Sequence, residues 1–311
     1  MRYAVATNCT NRKRFDSIRA LQGQYLPRDV TREVADEWVR RVKGAKLACT
    51  AGELYQGRAF TEAKAAARSI EADLYIVSAG LGLVHSRREV PSYNLTVTER
   101  SSNNVLNRCT DVPDAEDWWQ AVNASFHTQS LSSRIARSSH DYWLIAIPKT
   151  YYRMLRTDLA RLDRKDLERI RLFGPREHSA NDVVLQGTLI SMDDRLDGPD
   201  SQIRGTRGDY AQRAMAFFIQ NVLMQTPDGD VASHRRATAG LLRNMAWPEQ
   251  IPKRPSATDE QICRKLDQSW GKGKGQSTKL LRILRDDLSI ACEEGRFRRL
   301  FHSVARRRGV Q

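Results

Sequence analysis

The chain has 311 residues, enough for a main domain with a sizeable core and a smaller second domain. Its formal net charge of +14 and its pI of about 9.9 favour a polyanion as partner, above all a nucleic acid. No run approaches the roughly 18 apolar residues of a membrane span, and the amino terminus lacks the apolar region of a signal peptide. We therefore expect a soluble, cytoplasmic protein without a membrane partner.

The first two thirds of the chain alternate between strand-like and helical patterns. Nearly continuous apolar runs at 2–7 (RYAVAT), 74–79 (LYIVSA) and 142–147 (YWLIAI) are typical of strands covered on both faces. Helical spacing lies between the first two, in VTREVADEWVRRVKG, which Gly44 closes, and in FTEAKAAARSIEA. IRLFG and VVLQGTLIS resemble two further strands. These patterns predict an α/β domain over residues 1–225, with a mainly parallel sheet flanked by helices.

A Pro-rich segment follows and leads into a basic carboxyl-terminal module. We predict a linker region over residues 226–256, around a short helix. Beyond it, Thr258 and Gln261 form a capping-box pattern, and Ser277 is expected to cap a second helix after the turn GKGKGQ. The third segment is either a hairpin wing or another short helix. Residues 257–311 therefore resemble a winged-helix or helix-turn-helix domain, small and mostly α.

Positive charge is concentrated in this module. From Lys253 to Gln311 there are fifteen Lys or Arg residues against seven Asp or Glu, a density that can neutralise several phosphates. The predicted DNA-binding residues here are Lys272, Lys274, Lys279, Arg282, Arg285, Arg296 and Arg298. A solvated helical tail is the alternative.

The residues best suited to bind a ligand lie at the ends of the predicted strands. Ligands bind at the carboxyl ends of the strands in an open parallel sheet. The three best strands end in TNCTNRKR, SAGLGLV and PKTYYR, so we expect Asn8, Cys9, Ser78, Gly80, Gly82, Lys149 and Tyr151 to share one rim. Glycine lets backbone N–H groups approach a ligand, and Ser78 adds a hydroxyl. A tight strand-to-helix turn would explain the same glycines.

Four ordered motifs in the first hundred residues resemble a known family: AVATNCTNRK, AGELYQGRAFTEAKAAA, LYIVSAGLGLV and VPSYNLTV. They are similar to an uncharacterised bacterial domain family allied to the peroxide-stress protein YaaA, although Leu81 stands where that family often has a bulkier residue. The resemblance implies an α/β fold, DNA association, and a pocket lined by Asn8, Cys9, Glu53, Tyr55, Arg58, Ser78, Gly80, Gly82 and Tyr93. It also implies relatives that act on altered bases in phage defence.

Candidate chemistry follows from what a base-processing enzyme needs. Such an enzyme extrudes the base, stacks it and hydrogen-bonds its edge, roles that suit Tyr55 and Tyr93 for stacking and Asn8, Ser78 and Glu53 for the edge. Cleaving an N-glycosidic bond needs a carboxylate, and the candidates are Glu53 and Asp209. Arg204 and Arg207 are placed to hold the flanking phosphates. The alternatives are a helix N-cap for Asp209 and a surface carboxylate for Glu53.

Other nucleophiles and cofactors have weaker support. Cys9 is either a nucleophile or a buried thiol, and His178 is either an acid–base group or a solvated loop residue. The five cysteines show no CxxC or Cys/His spacing, and no Walker loop, HExxH or kinase signature is present. We expect free thiols, no metal and no cofactor.

These observations predict a DNA glycosylase that flips and excises a modified nucleobase from DNA, in duplex form, in bacterial anti-phage defence. The predicted catalytic residues are Glu53, Asp209 and Asn8. Two alternatives stay open: an enzyme that changes a base substituent without excision, and a non-enzymatic DNA-binding regulator. The sequence does not indicate the oligomeric state.

Overall fold

The three apolar runs predicted as strands lie side by side in one sheet of the computed structural model, which describes residues 1–99, 101–175, 182–249 and 254–309. The strands are β1 (Tyr3–Asn8), β2 (Cys49–Thr50), β3 (Asp73–Ser78), β4 (Gly82–His85), β5 (Glu89–Val90), β6 (Tyr142–Ala146) and β7 (Ile170–Phe173). Their order in the main sheet is β4-β3-β1-β6-β7, and β2 pairs with β5 separately. Three of the four pairings in the main sheet are parallel, which confirms the mainly parallel α/β fold.

Helices connect and cover these strands. In the first part of the chain they are α1 (Thr31–Lys43), α2 (Ala51–Leu54), α3 (Arg58–Ser69), α4 (Ala115–Phe126), α5 (Leu131–Arg137), α6 (Lys149–Leu159), α7 (Arg164–Glu168), α8 (Val183–Thr188), α9 (Tyr210–Phe218) and α10 (Val231–Arg243). Helix α9 continues as a π-helical turn over Ile219–Leu223. Every residue of α9 is buried, because this helix packs between α3 and strands β1, β6 and β7.

The predicted strand VVLQGTLIS is wrong, because most of it forms helix α8. The Asp182 carboxylate accepts a hydrogen bond from the Leu185 backbone N–H and caps this helix, which outweighs the β-branched composition. Only Leu189, after the helix, forms a β-bridge, with Leu172. The neighbouring prediction at IRLFG is confirmed as β7.

The glycine-rich end of β3 forms a β-hairpin and not a strand-to-helix turn. The chain reverses after Ser78, and β4 pairs antiparallel with β3 so that Gly82 lies opposite Ser78. Gly82 has φ of +68°, and a Cβ there would lie 2.6 Å from the Asn123 side-chain oxygen. Two buried indoles, Trp38 and Trp118, donate to the Gly80 and Ala79 carbonyls at 2.6 and 2.7 Å and hold the turn in the core.

The chain divides into two compact units, Met1–Pro248 and Glu249–Gln311. The segment 226–256, predicted as a linker region, is thereby shared between them. Its helix α10 belongs to the first unit, where the His234 ring is buried. The Arg171 guanidinium donates from Nε to His234 Nδ1 at 2.8 Å, so the ring proton resides on Nε2, which donates to the Thr226 carbonyl at 2.8 Å.

The second unit has its own apolar core. Its described residues form the helices α11 (Asp259–Ser269), α12 (Ser277–Arg282), which continues as a π-helical turn over Ile283–Asp287, and α13 (Glu294–Arg307). The capping box of Thr258 and Gln261 is confirmed. Gln276, and not Ser277, occupies the cap position of α12. Between 254 and 309 the described chain forms no strand, only a bridge of Ser256 with Ala291, so the third segment is a helix and the hairpin wing is absent there.

None of the helices in the described residues is long and apolar enough to cross a bilayer.

The buried His234 predicts a loss of stability on mild acidification. Burial lowers the pKa of its imidazole below the ordinary 6.5. At mildly acidic pH the imidazole therefore binds a proton in the unfolded chain more readily than in the folded chain. The free energy of unfolding should therefore fall as the pH drops from about 7.5 to about 5.5, by up to about 1.4 kcal/mol per pH unit. His234→Gln should show a smaller fall in urea unfolding, and His302→Gln, at an exposed histidine, should match the wild type. Equal pH profiles for all three proteins would contradict this role.

Candidate functional site

A crevice opens at the carboxyl ends of β6 and β7, where open α/β sheets bind their ligands. Its volume is about 400 Å³. It is lined by Pro148, Lys149, Gly174, Arg207, Gly208, Tyr210 and Ala211. None of these described lining residues carries a carboxylate, and two are cationic, so the crevice favours an anionic ligand.

Local structure explains how the crevice is shaped. Lys149 is the first residue of α6, so the start of that helix, whose first backbone N–H groups have no carbonyl partner within the helix, borders the crevice. Gly174 has φ of +122°, and a Cβ there would lie 2.0 Å from the Ile147 carbonyl oxygen. Only glycine fits at this position, where the backbone passes close to the end of β6.

A network of buried ion pairs lies next to the crevice, around Asp209, whose chain neighbours Gly208 and Tyr210 line it. Asp209 is 2% exposed, and its Oδ1 accepts from Arg213 Nε at 2.7 Å and from the Thr206 backbone N–H at 2.8 Å. Arg213 is fully buried and also donates to Asp197 at 2.7 Å. Arg58, whose side chain is 52% exposed, approaches Asp209 Oδ2 with its Nε at 3.3 Å. Asp209 precedes α9 but makes no cap bond to it; its carboxylate caps the 3₁₀ turn Arg207–Asp209.

A second polar cluster lies inside the protein, at the carboxyl ends of β1 and β3. The Tyr93 hydroxyl hydrogen-bonds with Ser78 Oγ at 2.6 Å and with the Tyr55 hydroxyl at 2.8 Å. Cys9 Sγ lies 3.1 Å from the Tyr151 hydroxyl. Burial raises the pKa of the Tyr55, Tyr93 and Tyr151 phenols well above their usual range, so these groups stay neutral.

Lys13 faces this cluster. Its ammonium lies 4.5 Å from the centroid of the Tyr93 ring and donates to the Thr10 carbonyl at 3.2 Å. Burial lowers the pKa of the Lys13 ammonium below its usual range, because the apolar surroundings disfavour the charge.

Ser78, Gly80 and Gly82 have structural roles that differ from the predicted open rim. All three are buried, and the Ser78 hydroxyl also accepts from the Gly80 and Leu81 backbone N–H groups at 3.2 and 2.9 Å. A Cβ at Gly80 would lie 2.5 Å from the Tyr93 ring. The polar groups predicted to meet a ligand therefore satisfy one another inside the hairpin.

Asn8 joins the central strands to α9. Its Oδ1 accepts from Gln212 Nε2 at 2.9 Å, and its Nδ2 donates to the Cys9 carbonyl at 2.9 Å. Gln212 also donates to Thr7 Oγ1 at 3.0 Å and to the Ala146 carbonyl at 3.1 Å. The Asn8 amide is thus held by two hydrogen bonds, and it in turn orients the Gln212 side chain.

Glu53 lies outside both clusters, in a groove of about 720 Å³ that Tyr55 also lines. We call this the basic groove, because Arg12, Arg14, Arg58, Lys64 and Arg68 line it together with Glu53. The Glu53 carboxylate accepts from Thr50 Oγ1 at 2.7 Å and completes a capping box for α2. These hydrogen bonds from Thr50 lower the pKa of the exposed Glu53 carboxyl, as expected for a helix-start carboxylate.

The predicted site residues therefore fall into three groups. Lys149 and Arg207 line the crevice. The buried Cys9, Tyr55, Ser78 and Tyr93 lie near one another, with the half-buried Asn8 beside them. Glu53 and Arg58 line the basic groove, which Tyr55 also lines. Arg204 stands apart from the crevice lining and donates to the Pro199 carbonyl at 2.6 Å. Sequence reasoning missed Gln212 and Arg213. The four-residue spacing of Asp209 and Arg213 is typical of an ion pair on a helix, and it could have indicated their contact.

In the second unit, the predicted DNA-binding lysines and arginines differ in their contacts with the rest of that unit. Lys272, Lys274 and Lys279 are exposed, without an ion pair among the described residues. Arg285 instead donates to the Cys292 carbonyl at 2.7 Å, and Arg296 donates to Asp259 at 2.7 Å. Arg282 and Arg298 are exposed and lie near Asp286 and Glu294 of their own helical segments, at 3.8 and 2.8 Å. His178 lies outside the described residues.

In the described ranges, no three His, Cys, Asp or Glu side chains are grouped so that they would hold a metal ion.

Residues 42–160 match a Family of unknown function (DUF6884), which supports an uncharacterised domain family; no link to YaaA is shown. The matched segment contains Glu53, Tyr55, Arg58, Tyr93 and Lys149, and it ends before Asp209. No curated protein and no solved structure match the chain.

Removing the Ser78 hydroxyl should destabilise the protein. Ser78→Ala leaves the Gly80 and Leu81 N–H groups and the Tyr93 hydroxyl short of a buried partner. The free energy of unfolding should fall by about 2 kcal/mol or more, measured by urea unfolding followed by circular dichroism. Ser139→Ala, at an exposed serine, is the control. A loss no larger than that of the control would contradict the structural role.

Proposed function

We propose that this protein is a DNA-acting enzyme that receives one extruded nucleotide in the crevice and excises its base, as a DNA glycosylase for a modified nucleobase in anti-phage defence. The observation that carries the proposal is the cation-lined crevice at the carboxyl ends of the strands, next to a buried carboxylate. The strongly basic composition supports a nucleic acid as the partner.

The size and charge of the crevice suit a nucleotide. Its volume of about 400 Å³ lies in the range of roughly 300–1,000 Å³ typical of small-ligand pockets. Lys149 and Arg207 bring two positive charges, and the amino-terminal end of α6 adds backbone N–H donors. In the proposed complex these groups hold the phosphate beside the extruded base.

Asp209 is the preferred catalytic carboxylate. It lies between two lining residues, Gly208 and Tyr210, whereas Glu53 lies in the basic groove. Its Oδ1 accepts a hydrogen bond from Arg213, and its Oδ2 forms an ion pair with the half-exposed Arg58, at 3.3 Å. When Arg58 turns towards a phosphate of the bound DNA, Oδ2 becomes free to face the sugar.

The proposed reaction is hydrolysis of the N-glycosidic bond. The bond between C1′ and the base breaks, the base leaves with the electron pair and takes up a proton from solvent water, and a second water adds to C1′. Asp209 accepts the proton of that water and stabilises the positive charge that develops on the sugar. The products are a free base and an abasic site, and Asn8, through Gln212, acts as a positioning residue.

A DNA-binding regulator is the second candidate, and the exposed lysines of the second unit favour it. Lys272 and Lys274 lie in the turn between α11 and α12, and Lys279 lies on α12. A helix–turn–helix arrangement with exposed cations can bind phosphates without any chemistry. In that case neutralising the three lysines would abolish the biological effect, and Asp209→Asn would not.

Mass spectrometry of everything released from phage genomes, some with ordinary and some with hypermodified bases, tests the excision. We expect one genome class to yield a free modified base and an alkali-labile site. Asp209→Asn should lower turnover by about 100-fold or more, since a positioned acid–base group contributes about that much. Lys149→Ala should mainly raise KM. Asp36→Asn, at an exposed aspartate, is the control, and thermal unfolding confirms that each variant is folded.

Two outcomes would contradict the excision. DNA bound without any released base would favour the regulator. A nucleoside of altered mass, with its sugar still attached, would instead indicate chemistry on a base substituent.

A further inference from the structure

The basic groove of the first unit is built from two elements of the chain. Residues 12–14 follow β1 and run antiparallel to 54–56, with the Gln56 N–H donating to the Arg12 carbonyl at 3.0 Å and the Arg14 N–H donating to the Leu54 carbonyl at 2.8 Å. Side chains of an extended segment alternate between its two faces. Arg12 and Arg14 accordingly line the groove, and Lys13 between them turns inward to Tyr93.

Helix α3 forms the other wall. Phe60, Ala63, Ala66 and Ala67 are buried on its inner face. Thr61, Lys64, Ala65 and Arg68 line the groove on the outer face, as the spacing of three and four residues requires. From Thr61 to Arg68 this face extends for about 10 Å, at a rise of about 1.5 Å per residue.

The charges of the groove are largely unpaired. Arg12, Arg14 and Arg68 are exposed and form no ion pair within the described ranges. Other surface arginines of this unit do pair: Arg40 and Arg41 share Glu37, at 2.7 and 2.6 Å. Five cations stand against the single carboxylate of Glu53, and Thr50 already binds that carboxylate. Like charges held together repel one another, so the groove favours a ligand that carries several negative charges.

An exposed aromatic ring lies against Arg14, next to the residues that line the groove. Phe15 is 43% exposed, and the Arg14 guanidinium lies 5.2 Å from the centroid of its ring. An aromatic face beside a cationic groove is the arrangement by which proteins stack the bases of a single strand while holding its phosphates. The bases of a duplex are already stacked on one another and would not meet this ring.

We infer that the basic groove holds the phosphodiester backbone of a single nucleic-acid strand, with one base stacked on Phe15. The inference rests on the proposed function, because it takes a nucleic acid as the partner, and it specifies that the bound segment is unpaired. Arg58 lines the groove and also contacts Asp209. A strand in the groove therefore leads towards the carboxylate beside the crevice.

The salt dependence of binding tests the phosphate contacts. Anisotropy of a labelled oligothymidylate of about ten nucleotides would be measured with the full chain at several KCl concentrations. The background carries Lys272→Gln, Lys274→Gln and Lys279→Gln, so that the second unit contributes less. Adding Arg12→Gln, Arg14→Gln and Arg68→Gln should make the slope of log affinity against log salt less steep by about 2.

A matched control removes the same charge elsewhere. Arg32, Arg137 and Arg243 are exposed, form no ion pair with any described residue and lie outside the lining of the groove. Their triple change to Gln should leave the slope close to that of the background. Equal slopes for the groove triple and this control would overturn the inference.

The stacking contact has its own test. Phe15→Ala should weaken binding of the single strand about fivefold or more without changing the salt slope, and Phe15→Trp should retain binding. An equal loss for duplex DNA, or competition by polyglutamate as effective as that by oligothymidylate, would overturn the single-strand assignment. These readouts need no base release, so a failed excision assay with intact groove effects would contradict only the proposed function.

Discussion

The crevice depends on the ion pairs that the buried guanidinium of Arg213 forms with Asp209 and Asp197. A charge removed from water is tolerated only when it is paired and its donors are satisfied. Arg213 meets this requirement with the carboxylates of Asp209 and Asp197 and with the carbonyls of Ile203 and Thr206. Residues 197–209, which precede α9, are therefore folded around one side chain, and they supply Arg207 and Gly208 to the crevice lining.

The polar groups of the first unit divide into those that hydrogen-bond with one another inside the protein and those that face solvent. Inside the sheet, Ser78, Tyr55 and Tyr93 satisfy one another, and their burial keeps the phenols neutral. At the surface, Arg12, Arg14 and Arg68 of the basic groove form no ion pair within the described ranges, and the described lining of the crevice contains no carboxylate. Arg58 connects the two surface features, because it lines the groove and contacts Asp209.

Each unit of the chain carries its own exposed positive charge. In the second unit the arginines Arg285 and Arg296 largely hold the helices and turns together, and the exposed lysines are left to face solvent. In the first unit the basic groove combines arginines with an aromatic ring. Under the proposed function, the exposed lysines of the second unit would recognise phosphates alone, and the basic groove of the first unit would recognise phosphates together with an unpaired base.

The sequence by itself determined the elements whose signals are local. Strands β1, β3, β6 and β7, the helix that ends at Gly44, and the capping box of Thr258 and Gln261 follow from periodicity and from nearest neighbours. The sequence did not indicate that Tyr55, Ser78 and Tyr93 are buried and hydrogen-bonded to one another, or that Asn8 accepts from Gln212, some two hundred positions away in the chain. Only the tertiary structure decided that SAGLG turns into a hairpin, that Asp182 makes α8 helical, and that Arg58 meets Asp209, since each depends on competing or distant contacts that no short window of sequence contains.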